Sequence, residues 1–143
     1  MIFRPWVYCD NLEVYRIEKE CFKEPWTQQM ICDTFLSDNF LGYVAEHEGK
    51  VIGYLALTYC LDEAEINLVA VTHKYRRQKV AETLFLTMFD VLKEKCVNKV
   101  FLEVRRNNHS AKALYEKLGF EYISVREKYY SGVEDALIMC KHL

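Results

Sequence analysis

Proline and glycine are scarce in this chain, two and five among 143 residues, so no stretch reads as a flexible linker or a low-complexity tract. No internal repeat is present, which argues against solenoids and propellers. The six cysteines (Cys9, Cys21, Cys32, Cys60, Cys96, Cys140) lie far apart, without a C-x-x-C pair or a Cys and His cluster at zinc spacing. They read as buried free thiols. His47, His73, His109 and His142 read as surface residues, and no metal is expected. An excess of positive charge is missing too. The net charge of −2 does not favour nucleic acid as a partner. Charges interrupt every candidate apolar span, and MIFRPWVYCDNLE at the start has no long apolar core. Neither a membrane helix nor a secretion signal is expected, and the reducing cytoplasm is the expected compartment.

What is there is apolar and charged in ordinary proportion, 51% and 28%, as in one globular domain spanning 1–143. Phe3 to Tyr8 reads as a strand that Pro5 confines to an edge or a strand start. Asp10 with Glu13 has the pattern of a capping box for a helix with Val14, Ile17 and Cys21 inward, ending near Lys23 because Pro25 disfavours helical angles at Glu24. Thr27 reads as the N-cap of a second helix with Ile31, Phe35 and Leu36 on its apolar side. Tyr43 to Ala45 and Val51 to Tyr59 read as a hairpin turning at Glu48 to Lys50, with a bulge near Gly53.

Ile66 to Val71 is the next strand, and a helix with Val80, Leu84, Met88, Val91 and Leu92 on one face follows. Val100 to Val104 is a strand. Asn108 starts a helix to Leu118, with Ala111, Leu114 and Leu118 inward and Gly119 closing it. Tyr122 to Val125 and Ala136 to Cys140, separated by KYYSGVED, complete the order βααβββαβαββ. That order is α/β (α+β), a mixed sheet covered by helices.

Ile66 to Leu84 organises the rest. A strand runs into a basic loop and then a helix start, where unpaired N–H groups and the positive dipole end favour an anion, with Lys74, Arg76, Arg77 and Lys79 around them. Taken alone, the loop reads equally as a solvated charge run. Glu103, between Leu102 and Val104, points to the opposite face of its strand, as an exposed carboxylate or as a general base. Tyr115 lies about 100° from the core stripe of its helix. Its ring reads as half-buried packing, or its hydroxyl as a proton donor. Trp26, Tyr129 and Tyr130 put large rings in loops, as packing or as the walls of a groove.

Together these residues resemble the GNAT superfamily of N-acetyltransferases, and within it the bacterial ribosomal-protein alanine N-acetyltransferases of the RimI type. The resemblance covers CFKEPW (Cys21 to Trp26), LDEAEINLVAV (Leu61 to Val71), YRRQKVA (Tyr75 to Ala81), LEVRRNNHSAKALYEKLGF (Leu102 to Phe120), VREKYY and EDALIM. It implies the GNAT fold, a mostly antiparallel, splayed sheet of about seven strands flanked by about four helices. It also implies acetyl-CoA as cosubstrate. The backbone at Val69, Ala70 and Val71 would pair with the pantetheine arm. The loop of Arg76, Arg77, Gln78, Lys79, Val80, Ala81 and Glu82 would hold the pyrophosphate, with Asn108 further along the cofactor. Glu103 would accept a proton and Tyr115 donate one, while Glu24, Trp26, Tyr129 and Tyr130 would grip the acceptor. The implied acceptor is the N-terminal alanine of a small-subunit ribosomal protein. Alternatives are another N-terminus, a lysine side chain, a small amine, or a non-catalytic CoA sensor. One departure stands out: the family's loop reads R-x-x-G-x-A or R-x-x-G-x-G, and Lys79 occupies the first glycine position. Positive φ there would strain a lysine, and the helical pattern from Val80 predicts a helical backbone at Lys79 instead.

Overall fold

Alternation of apolar residues along seven strands builds one sheet in the order β1-β2-β3-β4-β5-β7-β6. The computed structural model describes residues 1–130, 132 and 134–143. In chain order the elements are β1 (Ile2–Pro5), α1 (Asn11–Cys21), α2 (Gln28–Phe35), β2 (Phe40–His47), β3 (Lys50–Cys60), β4 (Glu63–Val71), α3 (Val80–Glu94), β5 (Lys99–Arg105), α4 (His109–Lys117), β6 (Glu121–Tyr130) and β7 (Glu134–His142). Two residues of the expected connector before β7, Ser131 and Val133, lie outside the described residues. All neighbours pair antiparallel except β4 and β5.

Each face of the sheet carries its own core. Helices α3 and α4 cover one, where Leu84, Phe85, Met88 and Leu92 meet Leu55, Leu57, Val100 and Leu102. Helices α1 and α2 cover the other, where Val14, Ile17 and Ile31 meet Val44, Tyr54, Ala56 and Leu68. Burying a side chain of this size contributes about 1.5–3 kcal/mol. In β4 the register slips opposite Ala56 and Leu57, leaving Asn67 as the extra residue. The bulge reverses the alternation, so Ile66 faces the α3 core while Leu68 faces the α1 core, and Val69 turns back to α3.

Local signals are met where one residue dictates the geometry. Thr27 Oγ1 accepts from Met30 N at 3.1 Å. Glu48 and Gly49, at φ 51° and 79°, make the two-residue turn between β2 and β3. After α4, Gly119 at φ 97° lets Gly119 N donate to Glu116 O and Phe120 N to Tyr115 O, closing the helix. Beside Gly53, Ile52 is the extra residue of a bulge against β2.

Several expectations fail. The first strand stops at Pro5, at the edge of the sheet. Asp10 and Glu13 make no capping box: Arg4 donates to both Asp10 carboxylate oxygens at 2.9 Å, and Glu13 accepts from Val51 N at 3.0 Å. Leu36 is 67% exposed because α2 ends one residue earlier. Of the six thiols, all free, only Cys140 is buried, while Cys9, Cys60 and Cys96 are exposed.

Candidate active site

The parallel pairing of β4 with β5 lasts only from Glu63 to Glu65, opposite Lys99 to Phe101. Beyond it the two strands share no partners, and a gap opens in the middle of the sheet. Thr72 N donates to Ile52 O at 2.9 Å, so Thr72 faces β3. By alternation Ala70 also faces β3, whereas Val69 and Val71 turn their N–H and C=O groups to the gap. Ala70 O lies 3.3 Å from where a Cβ on Gly53 would stand, in keeping with that direction. Of the three expected residues, Val69 and Val71 thus turn to the gap and Ala70 to β3, and the Val71 carbonyl is already bonded to Arg76 Nε at 3.0 Å.

At the end of β4 the chain makes a short 3-10 turn, His73–Tyr75, and then the basic loop. Among the described residues, the amides of Arg77, Gln78, Lys79, Val80, Ala81 and Glu82 donate to no protein acceptor; the first bonded amide is Thr83 N, to Lys79 O at 3.0 Å. Lys79 is left-handed, φ 61° and ψ 24°, which corrects the expected helical backbone. It is the N-cap, outside the helix that begins at Val80, and the chain turns sharply there to aim the amides outward. Arg77 is also left-handed, at φ 63°. Such angles cost an L-residue about 1–2 kcal/mol each. The Arg76 side chain turns inward: Nε donates to Val71 O at 3.0 Å and Nη2 lies 3.2 Å from Cys21 Sγ. Burial pushes the Cys21 thiol up. Lys117 pairs with Glu82 at 3.1 Å, which offsets the one carboxylate in the loop.

Glu103 points to the α1 and α2 side, away from Leu102 and Val104, which are in the opposite core. It lines an open cleft of about 480 Å³ with Thr58, Tyr59, Glu65, Phe101 and Ile138. The cleft continues past Asn39 and Thr58 into a space of about 340 Å³ lined by Trp26, Asp33 and Asn67. Glu24 is exposed in the same loop as Trp26. That loop is held from below by Glu18, 2% exposed, whose carboxylate accepts from Trp26 N at 3.1 Å and from Tyr54 Oη. Burial pushes Glu18 above the usual carboxylate range, against the two hydrogen bonds.

Tyr115 approaches from the other face. It is buried, not half-exposed, with its ring edge-on to Phe85 at 5.7 Å and Phe120 at 5.9 Å. It joins the apolar stripe of α4 because Phe85 of α3 fills the space beside it. Burial, with a further contribution from Tyr130, holds its phenol well above the usual value, so it keeps its proton. Tyr129 and Tyr130 belong to the end of β6, not to a loop. Their rings are 5.1 Å apart. Arg126 stacks on Tyr129 at 4.0 Å and Arg105 on Tyr130 at 4.1 Å. Tyr130 lies within electrostatic reach of both Glu103 and Tyr115. Asn108 Oδ1 accepts from Ala111 N at 3.3 Å as the N-cap of α4.

A family model described as "Acetyltransferase (GNAT) family" matches residues 11–120. The chain belongs to the GNAT acetyltransferase family. The [ribosomal protein bS18]-alanine N-acetyltransferase of Escherichia coli (strain K12) is 35% identical over 131 residues, 87% of this chain and 86% of the other. A Bacillus subtilis relative is 38% identical over 128 residues, 88% of this chain and 85% of the other. The crystal structure of the ribosomal-protein-S18-alanine N-acetyltransferase from Escherichia coli has a TM-score of 0.93 at 30% identity, covering 99% of this chain and 92% of that one. The splayed seven-stranded sheet is thus the GNAT fold.

GNAT membership makes this chain an acetyltransferase and implies acetyl-CoA as its acyl donor. The residues fit that donor: six unsatisfied amides at a helix start suit a pyrophosphate, and the sheet gap exposes backbone groups for an amide-bearing arm. Sequence reasoning missed Arg126, Asn39, Thr58 and Asn67. Arg126 lies within the VREKYY motif, but only the strand register shows that it reaches Glu103. Among the described residues, no helix is long and apolar enough to cross a membrane.

Proposed function

We propose that this GNAT enzyme transfers the acetyl group of acetyl-CoA to the N-terminal alanine of ribosomal protein bS18. The observation that carries the reading is the 35% identity to the Escherichia coli bS18-alanine enzyme across 87% of this chain. The open cleft ending at Glu103 supports it, because an extended peptide can enter there and reach the sheet gap.

In this reading the pyrophosphate lies on the amides of Arg77 to Glu82, and the pantetheine arm runs along Val69 and Val71. Asn108 stands further along the cofactor. The acceptor N-terminus passes between Glu24 with Trp26 on one side and Tyr129 with Tyr130 on the other. Glu103 accepts the proton of the α-ammonium, directly or through water. An α-amine has a pKa near 8, against roughly 10.4 for a lysine side chain, so a carboxylate deprotonates it with less help. The free amine attacks the thioester carbonyl, and N–H groups on the gap side of β4 stabilise the oxyanion. Tyr115, a phenol kept protonated by burial, gives its proton to the departing thiolate and is reprotonated by the second proton that the nitrogen releases as the amide forms.

The test is release of free CoA thiol on mixing the protein, acetyl-CoA and a peptide with the bS18 N-terminal sequence. Thiol release that depends on the peptide is expected. Binding of acetyl-CoA without turnover of any amine would support a sensor instead.

A further inference from the structure

Glu103 already has a partner that the transfer reaction leaves without a role. Arg126 Nη1 lies 2.7 Å from Glu103 Oε1. The register explains how residues 23 positions apart meet: Glu103 pairs with Ile138, and Ile138 with Ser124. Arg126, two residues beyond Ser124, projects from the same face of β6. Its guanidinium carbon is 4.0 Å from the centroid of the Tyr129 ring. The side chains are 49% and 25% exposed, so water reaches both. The charged residues lining the two parts of the cleft are all carboxylates, namely Glu63, Glu65 and Glu103 in one and Asp33 in the other.

We infer that Arg126 is the resident counter-ion of Glu103, exchanged for the α-ammonium of the incoming acceptor, and thereby sets how tightly a cationic N-terminus binds. The inference rests on the reading of Glu103 as the group that meets the acceptor amine. Exchange conserves charge at the carboxylate, since one cation leaves as the other arrives. It is a mild barrier, because an exposed ion pair shifts an equilibrium by about fivefold at most. The Tyr129 face keeps the displaced guanidinium close. When acetylation is complete, the acceptor nitrogen is a neutral amide; one of the two protons it has lost sits on Glu103, and the other has replaced the proton that Tyr115 gave to the thiolate. Once the proton on Glu103 leaves to solvent, the carboxylate recovers its charge and Arg126 returns. The neutral product cannot compete with it. The exchange thus favours entry of an ammonium and exit of an amide.

Isothermal calorimetry on the CoA-loaded protein, with an alanine-initiated bS18 peptide as probe, reads the exchange without turnover. Arg126→Met retains bulk over Tyr129 and removes the charge, so it is expected to bind the peptide about three- to fivefold more tightly than wild type. Arg126→Lys is expected to match wild type. In a Glu103→Gln background, Arg126→Met is expected to give no gain. Unchanged or weaker binding by Arg126→Met, or the same gain without the Glu103 charge, would overturn the inference. Turnover by Glu103→Gln separately tests its role as proton acceptor, so the two failures are distinguishable.

Discussion

Glu65 lies directly opposite Phe101, and past that pair β4 and β5 share no partner. The proposed acyl transfer needs this parting. Glu103 comes from one face of the sheet and Tyr115 from the other, so the proposed mechanism requires a gap between the strands that would give both access to one acyl group. If acetyl-CoA fills the gap, the amides of Val69 and Val71 are expected to exchange at least about tenfold more slowly when it is bound, as are those of Arg77 to Glu82. Ala70, which faces β3, is expected to change little. Nuclear magnetic resonance hydrogen exchange reads this residue by residue, and an equal slowing on binding at all three β4 positions would contradict the alternation.

Lys79 occupies a backbone conformation that glycine adopts without strain. Lys79→Gly is expected to stabilise the fold by about 1 kcal/mol in urea unfolding, with acetyl-CoA affinity within about threefold of wild type. Lys79→Pro, whose φ is locked near −65°, is expected to abolish cofactor binding. Destabilisation by glycine would show that the left-handed geometry is not the strained one.

Glu103→Gln and Tyr115→Phe each remove a proton-transfer group with little change in shape. Both are expected to retain acetyl-CoA binding while kcat falls by about 10²–10⁴. Tyr115→Phe retains the ring contacts with Phe85 and Phe120, so its thermal unfolding is expected to match wild type. Steady-state kinetics with the peptide acceptor decide this, and unchanged turnover removes the residue concerned from the mechanism.

Glu18 supplies a pH signature. Burial raises it in the folded state, so the folded chain binds that proton more tightly than the unfolded chain. Its contribution to stability is complete below the ordinary carboxylate range and is lost as pH rises through the folded value. Wild type is therefore expected to lose stability relative to Glu18→Gln as pH increases from about 4 to 8. Calorimetric Tm values across that range check the sign, and a wild-type Tm that stays constant or rises relative to that of Glu18→Gln as pH increases contradicts it.

The element order was legible because single residues fix local geometry. Thr27 caps, Glu48 with Gly49 turns, Gly119 stops a helix, and each does so without help from distant chain. What was illegible depended on partners far away in sequence. Asp10 looked like a cap until Arg4 claimed its carboxylate. Tyr115 looked half-exposed until Phe85 closed over it. The bulge at Asn67, which reverses the faces of β4, leaves no trace in the apolar pattern. At the site, the strand, the basic loop and Glu103 were visible, whereas the left-handed Lys79 and the reach of Arg126 needed the backbone and the register.

The central claim is that the acceptor is an α-amine presented by a peptide. The most direct measurement offers the protein acetyl-CoA with three acceptors together: the alanine-initiated bS18 peptide, the same peptide with its N-terminus blocked and an internal lysine free, and a polyamine. Tandem mass spectrometry then locates the acetyl group. One acetyl group on the α-nitrogen of the first alanine, with the other two acceptors unmodified, is the expected result. An unmodified N-terminus beside an acetylated lysine or polyamine would contradict the account.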